Sequence, residues 1–127
     1  MKRILVGLMG ALLMLGAGTV VWAHEEPAGT NGKQALTGEV MDVFCYLSHA
    51  EQGQGKDHAG CARKCIESGL PVAIKVGDQL YLATMADHTS ANATLAPFAG
   101  EQVTVQGTIM EKDGQHLIAV EHVEKAK

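Results

Sequence analysis

Between Val103 and Val123 the chain carries a pattern that few folds can accept. Val103, Val105 and Ile109 alternate with Thr104, Gln106 and Thr108, and Leu117 to Val123 forms a second apolar stretch beyond Asp113-Gly114. Strict alternation puts one face of a strand in a core and the other in water. Asp-Gly between two such runs is a strong hairpin signal. A hairpin needs further strands to cover its apolar face, and the preceding sequence offers them. Leu36 to Phe44 reads as a first strand, irregular around Asp42. Val72 to Val76 alternates, Gly77-Asp78 turns, and Gln79 to Met85 returns. A short helix fits within Asp87–Pro97. Five strands with a helix between the third and fourth follow the order of a small Greek-key β-barrel of the OB type. The expected fold class is therefore mainly β with one or two short helices. Gly38 and Gly107, inside the first and fourth strands, suit the bends that such a barrel needs. Met41, Met85 and Met110 read as barrel packing.

The start of the chain reads differently. Met1-Lys2-Arg3 is positive, Ile4 to Val21 is uncharged and apolar, and Val21-Trp22-Ala23 ends in a cleavage-like sequence. This is the pattern of a secretory signal peptide over residues 1–23. Four glycines, Gly7, Gly10, Gly16 and Gly18, argue against a retained membrane anchor. His24 to Gln34 has no apolar periodicity and reads as a flexible leader, with a single domain over residues 35–127. Removing the first 23 residues leaves 104, and the net charge moves from −4 to −6 as Lys2 and Arg3 depart. An acidic surface excludes nucleic-acid binding, which calls for a basic footprint, and stable association with anionic membranes. A periplasmic protein partner stays open.

The chemistry gathers in one region. Cys45, Cys61 and Cys65 are the only cysteines, and His58 stands among them. Cys45 to Asp57 reads as a Gly-rich loop. A helix is expected from His58 to Ser68, with Asp57 as its N-cap and Gly69 and Pro71 ending it. At about 100° per residue, His58, Cys61 and Cys65 fall within an arc of about 60° on that helix. Cys45, at the end of the first strand, can reach over the same face. The four make a Cys3His set with donors suited to zinc or copper. Asp42 and His49 are outer candidates. His24, the N-terminal residue after cleavage, could chelate Cu(II) through its amine and imidazole, or be no more than a solvated terminus.

Two other uses of these cysteines stand beside the metal. An exported protein can form a disulfide, stapling Cys45 to Cys61 or Cys65, although an odd count leaves one thiol over. A thiol-disulfide redox pair, Cys61 and Cys65 with Cys45 resolving, is the other. Cys61-x-x-x-Cys65 is not the C-x-x-C-H of covalent haem attachment. No phosphate-cradling glycine motif or zinc-protease helix is present, and Ser48 beside His49 lacks a nucleophile elbow. No catalytic residues are assigned. His88, His116 and His122 are scattered, the last two on the face of Ile118 and Val120.

The residues Thr37-Gly38-Glu39-Val40-Met41-Asp42-Val43-Phe44-Cys45-Tyr46-Leu47, then His58-x-x-Cys61-Ala62-x-x-x-Cys65, then Leu80-Tyr81-Leu82, Leu95-Ala96-Pro97-Phe98-Ala99-Gly100 and Val103-Thr104-Val105-Gln106-Gly107 carry a resemblance. The chain resembles a family of small exported bacterial proteins of uncharacterised function, with a D-x-x-C-Y … H-x-x-C-A-x-x-x-C pattern and an OB-like barrel. The resemblance spans Thr37 to Val123. It implies a bacterial periplasmic protein and one site made of Asp42, Cys45, His58, Cys61 and Cys65. It implies no activity, and His24 lies outside it. The expected function is metal binding by the Cys3His cluster, as structural zinc or copper handling. The alternatives are thiol-disulfide redox work and an OB-like binding module that disulfides staple.

Overall fold

The computed structural model describes residues 31–127. The segment read as a signal peptide, His24 and the expected leader up to Thr30 lie outside the described residues. The elements run β1 (Gly32–Asp42), α1 (Val43–His49), a 3-10 turn (Ala50–Gly53), α2 (Ala59–Glu67), β2 (Val72–Val76), β3 (Gln79–Met85), α3 (Asn92–Leu95), a second 3-10 turn (Ala96–Phe98), β4 (Gln102–Lys112) and β5 (Gln115–Lys125). The five strands close into a barrel in the order β1-β2-β3-β5-β4. Every neighbouring pair is antiparallel except β3 and β5. This is the OB-like order expected from the sequence, with the helices bearing Cys45, His58, Cys61 and Cys65 between the first two strands.

The hairpin of β4 and β5 behaves as its alternation requires. Val103, Val105 and Ile109 are buried, while Gln102, Gln106 and Met110 are exposed. Asp113 (φ +52°) and Gly114 (φ +73°) turn the chain in the left-handed region, as a type I′ hairpin turn demands. β1 is the corner strand. Gly32 to Glu39 pair with β4, and Glu39 to Asp42 pair with β2. At that corner a Cβ on Gly38 would collide with the carbonyl of Lys75, and one on Gly107 with the carbonyl of Ala119. Gly107 also adjoins the register shift between β4 and β5, so both glycines permit the close backbone approach that bends the sheet.

The barrel interior is filled by Val40, Ile74, Val103, Val105, Ile118 and Val120. Leu95, Ala91 and Ala96 join the same core, and α2 adds Ala62 and Ile66 to it. Burying a Val, Ile or Leu side chain contributes about 1.5–3 kcal/mol, so Ala62 and Ile66 tie the cysteine-bearing helix to the barrel. Asn92 strengthens that tie. Its side-chain amide donates to the carbonyls of Ile66 (2.7 Å) and Leu70 (2.8 Å), pinning the end of α2 and the segment that follows it.

The structure corrects the expected bounds of the first strand, the loop after it, the cap of α2 and the placement of two apolar side chains. β1 starts at Gly32, inside the segment read as leader, because backbone pairing with β4 needs no apolar side chains and residues 33–35 are exposed. The first strand ends at Asp42 rather than Phe44, and the segment read as a loop from Cys45 folds as α1 and a 3-10 turn. Phe44, read as a strand residue, is exposed on α1, as is Leu47. α2 takes His58, not Asp57, as its N-cap, and no side chain caps it. Met110 is exposed, since its position on β4 points away from the barrel, whereas Met41 is buried and Met85 packs on the core.

Candidate metal centre

Asp42 sets the local geometry. It is the last residue of β1 and is fully buried. Its Oδ1 accepts from the backbone N–H of Phe44 at 3.1 Å, and the carboxylate also takes the N–H of Cys45 at 3.3–3.4 Å. These are donors that the start of a helix leaves unpaired, so Asp42 caps α1 and fixes where it begins. The cap turns Cys45 inward while Phe44 and Leu47 face solvent. The loop after α1 is tied back to the barrel by the N–H of Gly55 donating to Glu39. Then α2 presents Cys61 and Cys65 one turn apart on the side facing Cys45.

The three thiols are free, and their sulfurs lie within 4.8 Å of one another. Cys45 is buried, Cys65 half-buried and Cys61 exposed. Sγ of Cys45 stands 4.0 Å from Sγ of Cys65. A second group shares Cys45. Donor atoms of Asp42, Cys45 and His58 also lie within 4.8 Å of one another. His58 does not use its side chain to cap α2. The imidazole instead turns toward Asp42, with Nε2 3.8 Å from Oδ2. That Nε2 is buried without a hydrogen-bond partner, a costly state for a polar atom.

The sequence-derived Cys3His residues thus come together as two groups joined at Cys45, with Asp42 a full member of one. His49 sits exposed at the end of α1 and belongs to neither group. His116 has partners of its own, with Nδ1 3.0 Å from Glu111 and its ring edge-on to Tyr81. His88 and His122 are exposed. The burial of Asp42 had no signal in the sequence beyond its place between an apolar strand and Cys45.

Electrostatics in the cluster oppose the thiolate forms. A hydrogen bond to the Asp42 carboxylate, then burial and the Asp42 charge, with Cys65 adding to them, push the Cys45 thiol up to about 12. Burial pushes the Cys65 thiol up as well, and the Asp42 charge and Cys61 add to it while a hydrogen bond with Cys45 acts the other way. These are the effects of crowding anionic donors in a partly dry place. A cation reverses them, because it replaces the protons and is attracted by the same charges. The set combines soft sulfur donors with one imidazole and one carboxylate, types that zinc and copper accept.

Comparison with protein-family models and with curated proteins yields no match to this chain.

Proposed function

We propose that this chain is an exported metal-binding protein of the bacterial periplasm, with a thiol cluster that holds zinc or copper. The observation behind this reading is the approach of Cys45, Cys61 and Cys65, all unbonded, to within 4.8 Å of one another. Tetrahedral sulfurs bound to one zinc at about 2.3 Å stand about 3.8 Å apart, so the 4.0 Å between Cys45 and Cys65 needs little change. His58, beside Cys45, is the nitrogen donor of the cluster. Its buried, unpartnered Nε2 gains from any cation that reaches it. The export part of the proposal rests on residues 1–23 and predicts that the mature chain begins at His24.

Thiol-disulfide exchange is the second reading. The closeness of Cys45 and Cys65 favours it. Their raised thiol pKa values work against it, because the thiolate is the attacking form.

A competitive zinc titration of the reduced protein under anaerobic conditions tests the proposal. Wild type should bind stoichiometrically and release protons, since the ligating sulfur is the thiolate. Cys65→Ser should weaken binding. No stoichiometric uptake of zinc or Cu(I) by wild type would defeat the metal reading.

A further inference from the structure

We propose that the cluster is built for two divalent cations, with the Cys45 sulfur bridging them. One would sit among Cys45, Cys61 and Cys65, the other among Asp42, Cys45 and His58. This inference rests on the metal-binding reading and specifies its ion count and ion class. The first observation is the pair of donor groups. Each is mutually within 4.8 Å, and Cys45 is common to both, yet the five residues do not merge into one group. One four-coordinate ion holds its ligands about 3.4–3.8 Å apart, so a single ion cannot take all five donors without rearrangement. Two ions sharing one sulfur at bonds of about 2.3 Å lie within about 4.6 Å of each other, close to the roughly 3.5–4 Å spacing of two-metal centres.

The second observation is the gap between His58 and Asp42. A separation of 3.8 Å between Nε2 and Oδ2 is too long for a hydrogen bond. It suits one ion lying between them, because zinc binds imidazole nitrogen and carboxylate oxygen at about 2.0–2.2 Å each. Capping of α1 explains the bonds that Asp42 accepts from Phe44 and Cys45 but leaves the buried Nε2 of His58 without a partner. The third observation is charge. Three thiolates and the Asp42 carboxylate carry four negative charges. Two divalent cations neutralise them, whereas one leaves an uncompensated excess in a place where Asp42 is wholly out of water. Two Cu(I) ions would leave the same excess. The nitrogen and oxygen donors of the inner seat also favour a borderline divalent ion such as zinc over Cu(I).

Native mass spectrometry of the reduced full chain, loaded with zinc and stripped of excess, tests this. Wild type should carry two zinc ions per chain. His58→Ala and Cys61→Ser should each carry one, from different seats, and Cys45→Ser should carry none tightly. One ion in wild type, or two in His58→Ala, would overturn the two-ion site while leaving metal binding intact. No ion in wild type would overturn the proposed function along with it. Cobalt(II) loading of wild type needs no variant to fold. The electron paramagnetic resonance signal should rise to one equivalent of cobalt and fall toward two as the bridging thiolate couples the ions. A signal that doubles instead would overturn the bridge.

Discussion

Replacing Asp42 separates its two roles, capping α1 and charging the cluster. Asp42→Ala strands the N–H groups of Phe44 and Cys45, which the carboxylate holds at 3.1–3.4 Å. The Cys45 N–H bond is buried and the Phe44 N–H bond partly so. A buried donor left unpaired costs about 1–3 kcal/mol, and loss of an N-cap costs about 0.5–2 kcal/mol. The two donors together should therefore cost about 2 kcal/mol, offset in part by removal of a buried charge. Asp42→Asn keeps an oxygen in place for the cap and removes the same charge. The difference between the two variants isolates the cap, and Ala should be less stable than Asn by about 1–2 kcal/mol. The measurement is urea unfolding of the reduced, chelator-treated protein, with alkylation of Cys45 followed in parallel. Both variants should speed alkylation near pH 8, because each removes the negative carboxylate that holds this thiol protonated. The reasoning fails if Ala unfolds no more easily than Asn, or if neither variant alters the reactivity of Cys45.

Val105 is fully buried and lies between Leu36 of β1 and Val123 of β5. Val105→Asp should abolish the cooperative thermal transition, since a charge there has no partner; an unchanged melting temperature would contradict the assigned faces of β4. The thiols also predict a pH response. Cys45 and Cys65 are more weakly acidic folded than unfolded, so the folded state binds more protons at alkaline pH. Stability of the metal-free reduced protein should be complete below the ordinary thiol value of 9.0 and decline as pH rises toward about 12. Metal affinity should move the other way and fall as pH drops, because the ion must displace those protons. Denaturation and zinc-competition curves across pH would test both directions.

The barrel was legible because its strands follow a period of two and its turns use residues that the geometry demands. Asp113-Gly114 marks the last hairpin, and Gly38 and Gly107 stand where a side chain would strike a neighbouring carbonyl. α1 was not legible. Its sequence, Val43-Phe44-Cys45-Tyr46-Leu47-Ser48-His49, is rich in residues that favour strands. What makes it helical is the cap from Asp42, together with pairing of the Val43 N–H to the carbonyl of Pro71, a contact made across 28 residues. The same limit governed the cluster. Spacing put Cys61 and Cys65 on one helical face, and their meeting with Cys45 followed from a short connection. Spacing also suggested that His58 points the same way. His58 stands at the N-cap of α2, and its ring turns toward Asp42. Asp42 joins the candidate site through complete burial, a property of the assembled barrel and helices.

X-ray absorption at the metal edge of the zinc-loaded, reduced protein bears most directly on metal binding by the thiol cluster. Binding through Cys45, Cys61 and Cys65 predicts sulfur in the first shell at about 2.3 Å, accompanied by nitrogen or oxygen at about 2.0–2.1 Å. That shell should lose sulfur in Cys65→Ser. A first shell of nitrogen and oxygen alone, unchanged by Cys65→Ser, would contradict it.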